Sequence, residues 1–231
     1  MRTIGLIGGL SWVSSLEYYR RINELVQARL GAPHSARCVL YSFDLAEIEP
    51  LEQAGRWDEA TTRLVDALRA IERAGADLAI ICSNTTHKLA GEAARQIHIP
   101  LLHIADATGA RMRAQGLTRV GLLGTRFTME GDFYAPRLAE RFGIEVLLPE
   151  AAERQFVHDL IYHELCAGVF TTDARERVTE IIHHLAASGV QAVILGCTEL
   201  PLLLPQGTAS PIALIDTLRI HAEAAVDAAL A

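Results

Sequence analysis

Ala192-Val-Ile-Leu-Gly-Cys197-Thr-Glu-Leu200 is the stretch from which the rest of the chain is best read. Four apolar residues stop at Gly196, and a thiol, Cys197, stands just beyond them. A short apolar run closed by glycine has the form of a strand buried on both faces. Functional side chains in open α/β sheets gather at the carboxyl ends of such strands. An earlier stretch has a related form, Leu78-Ala-Ile-Ile-Cys-Ser83-Asn-Thr-Thr-His87, with Ser83 where the later one carries Cys197.

Strand and helix patterns alternate outward from these two stretches. Strands are expected at Ile4–Ile7, Cys38–Phe43, Leu78–Ile81 and Pro100–Ile104. A helix capped by Ser14 or Ser15 follows the first. A loop or short helix carries Glu47, Glu49 and Glu52. Further helices are expected over Trp57–Ala74 and His87–Gln96. The pattern then restarts, with strands at Val120–Thr125, Ile144–Leu148 and Ala192–Leu195, and Pro211–Ile215 leads into the last helix. Its helices are expected over Met129–Phe142, Glu153–Leu165, Asp173–Ala187 and from Asp216 onward. Three phrases recur in order at a slowly drifting offset. Ile4–Gly9 matches Val120–Thr125, Ala74–Ser83 matches Ser188–Cys197, and Pro100–Asp106 matches Pro211–Asp216. Such order points to duplication of one α/β unit. The expected fold is α/β, with two pseudo-symmetric domains, each a parallel sheet flanked by helices, and a site in the cleft between them. The lobes are expected at residues 1–105 with 209–231, and at 106–208.

Composition narrows the possible functions. Half of the 231 residues are hydrophobic but only 6% are aromatic, so the core should be aliphatic. A net charge of −7 argues against nucleic acid and anionic membrane as partners, since both need a basic face. No apolar run reaches the ~18 residues of a membrane span. Met1–Gly9 has some look of a signal sequence but breaks at Gly8-Gly9 and reads better as a strand. A soluble, cytoplasmic protein is expected. The four cysteines, Cys38, Cys82, Cys166 and Cys197, form no CxxC pair, so neither a disulfide framework nor a zinc site is expected. His158, His163 and Cys166 are close in sequence but lack a fourth ligand at useful spacing. The histidines are therefore expected to be core and surface residues, with no bound metal.

The duplication pairs Ser83 with Cys197 and Asn84 with Thr198. Two proton-transfer groups working on opposite faces of one carbon are what inversion of that carbon requires. Asn84, Thr85 and Thr198, with backbone N–H groups at helix starts, are suited to holding a carboxylate. Cys82 is one residue from Ser83, but neighbouring strand side chains point to opposite faces, so Cys82 is expected in the core.

Gly8-Gly-Leu-Ser-Trp-Val-Ser-Ser15, Asn84-Thr-Thr-His87, Leu122-Leu-Gly-Thr-Arg-Phe-Thr-Met129 and Gly196-Cys-Thr-Glu199 together resemble the aspartate/glutamate racemase superfamily. The resemblance implies two pseudo-symmetric α/β domains, a free amino acid as substrate, no cofactor and a homodimer. It implies that Cys197 is a thiol/thiolate acid–base and Ser83 its partner, where most members carry a second cysteine. A subgroup of L-aspartate/glutamate-specific or broad-specificity racemases has a hydroxyl residue there, and Cys82–Lys88 resembles it. The resemblance also implies substrate contacts from Leu10, Ser11, Glu52, Asn84, Thr85, Thr125, Thr198 and Glu199. A serine hydroxyl is a far weaker acid than a thiol, which starts near ~8.5, so Ser83 needs a water or another residue to act. Glu52 has two readings, a pocket carboxylate that repels acidic substrates or a solvated loop charge. Arg126, beside Thr125, is a candidate partner for a carboxylate.

Three other readings compete. A dinucleotide-binding enzyme fits the glycines after Ile4–Ile7, but GxxGG is not GxGxxG. A one-sided decarboxylase or isomerase of the same fold needs only one thiol. A non-catalytic amino-acid-binding protein needs none.

Overall fold

The computed structural model describes residues 1–205 and 207–231. The chain divides into two units, Met1–Ile104 with Leu218–Ala231, and Ala105–Thr217. In the first unit Ile4-Gly-Leu-Ile-Gly8 forms β1, every residue of it buried. It is followed by α1 (Trp12–Leu30), β2 (Cys38–Ser42), α2 (Leu45–Gln53), α3 (Trp57–Arg73) and β3 (Leu78–Ile81). A 3-10 turn (Thr85–Leu89), α4 (Ala90–Ala94), β4 (Leu101–Leu102) and the start of α5 (Ile104–Ala114) complete this run. All four strands are parallel, in the order β2-β1-β3-β4.

Period-two alternation sorts these strands onto two cores. Ile4, Leu6, Leu78, Ile80 and Cys82 pack with Tyr18, Ile22 and Val26 of α1. Ile7, Ala79 and Ile81 pack with Leu64, Leu68 and Ile71 of α3 on the other face. Ile22 and Val26 are wholly buried, each contributing about 1.5–3 kcal/mol by leaving water. Cys82 thus lies in the core, as strand alternation requires.

The second unit repeats the scheme. It contains β5 (Arg119–Gly124), α6 (Arg126–Glu130), α7 (Ala135–Phe142), β6 (Glu145–Leu147) and α8 (Ala151–His163). A 3-10 turn (Leu165–Ala167), α9 (Thr172–Ala187), β7 (Ala192–Gly196), α10 (Leu200–Leu203) and β8 (Ala213–Asp216) follow, before α11 (Thr217–Leu230) returns to the first unit. The strand order β6-β5-β7-β8, again all parallel, is that of the first sheet. Val157, Leu160, Val178 and Ile182 cover Leu123, Val193 and Leu195.

Several boundaries differ from expectation. β8 pairs with β7 (Ala192↔Ala213), so the units part at Thr217/Leu218 and not near residue 208. The helix α1 is capped by Ser11, not by Ser14 or Ser15, which lie inside it. The helix expected over Met129–Phe142 is two helices, since Gly131 takes an extended backbone and Pro136 sits in the first turn of the second. The helix expected from His87 opens as a 3-10 turn, in a run of Ser, Asn and Thr whose side chains compete for backbone partners. The helix α5 is not expected from the sequence, because Thr108 and Gly109 interrupt its pattern. Gly109 is needed there, since a Cβ would stand 2.4 Å from the Phe142 ring.

His221 is wholly buried in the first unit. Its Nδ1 accepts from the Tyr18 hydroxyl at 2.9 Å, and its Nε2–H donates to the Leu102 carbonyl at 3.0 Å. One donor and one acceptor are what a neutral imidazole offers. Burial, with His87 nearby, pushes its pKa down from 6.5 to about 3. The unfolded chain therefore takes up a proton near pH 6.5 that the folded chain refuses until about pH 3. Stability present above pH 6.5 is lost as pH falls through this window, at up to about 1.4 kcal/mol per pH unit. Urea denaturation at pH 7 and pH 5 should differ by about 2 kcal/mol from this residue, and the slope should flatten in His221→Gln.

Candidate functional site

In the first unit the candidate residues lie just past the ends of β1 and β3. Gly9 follows β1 with φ +72°, and a Cβ there would meet the Phe43 carbonyl oxygen at 2.0 Å. Only glycine lets this turn pass so close to the end of β2. Leu10 is buried in the apolar cluster that includes Ile48 and Leu51 of α2. The Ser11 hydroxyl accepts from the Ser14 N–H at 3.5 Å, and the Ser15 hydroxyl accepts from Gly9 N–H at 2.8 Å.

Past β3, Ser83, Asn84, Thr85 and Thr86 are all buried. Ser83 is held through its carbonyl, which accepts from His87 Nδ1–H at 2.6 Å, while His87 Nε2 accepts from the Ile104 N–H at 3.2 Å. These partners assign His87 a single neutral tautomer and a positioning role. The Ser83 hydroxyl accepts from the Thr86 N–H at 3.4 Å, and the Thr86 hydroxyl lies 3.3 Å from it. Glu52 on α2 is only 3% exposed, and its Oε1 is 3.4 Å from the same Thr86 hydroxyl. The reading of Glu52 as a solvated loop charge is therefore wrong. The sequence does not single out Thr86, although Thr86 connects two residues that it does.

In the second unit Gly124 and Gly196 are partners across β5 and β7, so Thr125 and Cys197 leave neighbouring strand ends. Thr125 caps α6. Its hydroxyl accepts from the Thr128 N–H and pairs with the Thr128 hydroxyl, both at 3.2 Å. Arg126 is exposed, its guanidinium 5.7 Å from the Phe127 ring centre. The Cys197 thiol is buried and donates to Glu199 Oε2 at 3.1 Å. The Thr198 hydroxyl donates to the same oxygen at 2.8 Å. Glu199 is itself buried, and its Oε1 has no hydrogen-bond partner among the described residues. The sequence places Glu199 at the site but does not reveal its contact with the thiol.

Electrostatics fix the resting state of this pair. Burial, and then the Glu199 charge, raise the Cys197 pKa well above that of an ordinary thiol. Both effects favour the proton on sulfur, as the thiol's donation to Glu199 requires. Glu199→Gln removes the charge, so the thiol should ionise at lower pH, as thiolate ultraviolet absorbance during titration would record. Cys38 and Cys82 are set by burial instead. Cys82 is raised by burial and packs in the core, Cys38 is raised by burial to about 11, and no disulfide joins any of the four. Among the described residues no group of three or more His, Cys, Asp or Glu is arranged to hold a metal. No described helix is long and apolar enough to cross a membrane.

The two strand ends therefore carry a buried thiol paired with a carboxylate, and a buried serine linked through threonine to another. Comparison with known proteins places this arrangement. A Yersinia pestis protein classed provisionally as an Asp/Glu racemase is 45% identical over the whole of both chains, with a TM-score of 0.91. A Pyrococcus horikoshii protein described as an aspartate racemase homologue is 32% identical over the whole of both chains, with a TM-score of 0.84. A glutamate racemase of a Carnobacterium species is 27% identical over 129 residues, 55% of this chain and 46% of that relative's length. The sequence pattern of the family described as Asp/Glu/Hydantoin racemase matches residues 7–225. With that pattern running through both sheets and both strand ends, the chain belongs to the Asp/Glu/hydantoin racemase family.

Proposed function

We propose that the chain interconverts the L and D forms of a free amino acid by moving protons at Cα, with Cys197 and Ser83 as the two proton-transfer groups and no cofactor. The observation that carries this reading is the buried Cys197–Glu199 pair at the end of β7. A thiol held protonated is a ready acid toward a Cα carbanion. It becomes a base when a cation offsets the Glu199 charge. Glu199 Oε1, without a hydrogen-bond partner among the described residues, is suited to such a cation, and the α-ammonium of an amino acid supplies one. Proton-transfer competence at Cys197 then depends on the substrate being bound.

The buried Glu52 carboxylate disfavours a second carboxylate beside Ser83. We therefore expect an amino acid with a neutral or basic side chain in preference to aspartate or glutamate. Purified protein incubated with single L- and D-amino acids, without added cofactor, and followed by chiral chromatography tests this. Drift of at least one enantiomer pair toward a racemic mixture is expected. A panel with no drift would refute the racemase reading. A second reading, one-sided protonation after loss of carbon dioxide, draws on the presence of one thiol and not two. Carbon dioxide release with no inversion would select it.

A further inference from the structure

A serine cannot take a proton from a carbon acid unless something takes the serine's own proton. Three side chains of the first unit, from two separate segments, are arranged for that handover. Thr86 Oγ1 has a single proton and two acceptors, Ser83 Oγ at 3.3 Å and Glu52 Oε1 at 3.4 Å. When that proton points to Glu52, a lone pair of Thr86 Oγ1 faces Ser83. When it points to Ser83, the path runs the other way. Ser83, Thr86 and Glu52 are at most 9% exposed, so bulk water does not readily replace any of them. Both distances are long for O–H···O bonds, and the transfer requires them to shorten.

We propose that Glu52 is the proton acceptor behind Ser83, acting through the Thr86 hydroxyl. The proposal rests on the racemase reading and adds to it a role for Glu52 that does not require substrate contact. As Ser83 Oγ takes the Cα proton, its own proton moves to Thr86 Oγ1, and the Thr86 proton moves to Glu52. The carbanion takes the Cys197 proton on its other face. One C–H bond breaks and one forms, leaving Glu52 neutral and Cys197 a thiolate. The opposite direction reverses each transfer. The Thr86 N–H, 3.4 Å from Ser83 Oγ, stabilises negative charge that builds on this oxygen during the exchange.

The test is Cα deuterium exchange in D2O, measured for each enantiomer of the amino acid the protein turns over. Ser83→Ala first identifies which enantiomer Cys197 deprotonates, since that one keeps exchanging. Glu52→Gln should then lower exchange of the other enantiomer by about 100-fold, and that of the Cys197-dependent enantiomer by far less. Thr86→Val, which keeps shape but removes the hydroxyl, should give the same one-sided loss, and Thr86→Ser should restore it. In a Ser83→Cys background the Glu52→Gln penalty should fall below tenfold, because a thiol ionises with less help. Equal losses for both enantiomers, or a Glu52→Gln penalty that is the same with and without Ser83→Cys, would overturn the relay and leave the racemase reading intact. Absence of exchange in the unmodified protein with every amino acid would overturn both.

Discussion

Cys197→Ser should abolish most racemisation, lowering kcat by about 10³-fold or more while the protein stays folded. Serine keeps the side chain's size, and its hydroxyl can still donate to Glu199 Oε2, as Thr198 already does. What is lost is acidity. A hydroxyl ionises far less readily than a thiol, and a positioned acid–base group contributes about 10²–10⁴-fold. On the proposed mechanism the loss belongs to kcat, because the side chain would act on the proton and not on the substrate's fixed charges. Circular dichroism and a thermal melt should match those of the unmodified chain. A variant retaining more than a tenth of the activity would remove Cys197 from the mechanism.

Ser83→Ala should lower racemisation by about 10²-fold or more, with a different isotopic signature. The two free enantiomers have equal energy in water, so kcat/KM for the two directions must remain equal whatever the residue at 83. The asymmetry between a thiol and a hydroxyl instead appears in exchange without inversion. If Cys197 is a proton-transfer group as proposed, it should still remove and return a proton with Ser83 gone. One enantiomer should therefore keep acquiring solvent deuterium while neither racemises. Cys197→Ser should show the complementary pattern, sparing only the enantiomer that Ser83 serves. Proton nuclear magnetic resonance of the Cα signal distinguishes the two. Loss of exchange for both enantiomers in Ser83→Ala would mean that Ser83 shapes the site and transfers no proton.

Much of this framework is legible because buried parallel strands are written as apolar runs. β1, β3, β5 and β7 stand at their expected places, and their ends carry the serine and the thiol. Alternation along β3 is enough to send Cys82 into the core. Short or interrupted elements are less legible. β4 keeps only Leu101–Leu102, α5 runs through a glycine, and α10 opens on Leu200-Pro201. Glu52 is ambiguous in sequence because Glu47, Glu49 and Glu52 read as a charged loop, whereas α2 turns Glu52 inward with Ile48 and Leu51. Thr86 and the Cys197–Glu199 contact depend on how the chain turns after a strand, which spacing does not specify. The chemically suggestive histidines are in part packing groups, with His87 and His221 each holding one donor and one acceptor in a neutral ring.

The most direct measurement is mass spectrometric detection of deuterium at Cα after incubation of the purified protein in D2O with paired L- and D-amino acids. The inverted product of at least one pair should carry one solvent-derived deuterium, and Cys197→Ser should remove that product. Absence of exchange and inversion across the whole panel would contradict the assignment of Cys197 as a proton-transfer group.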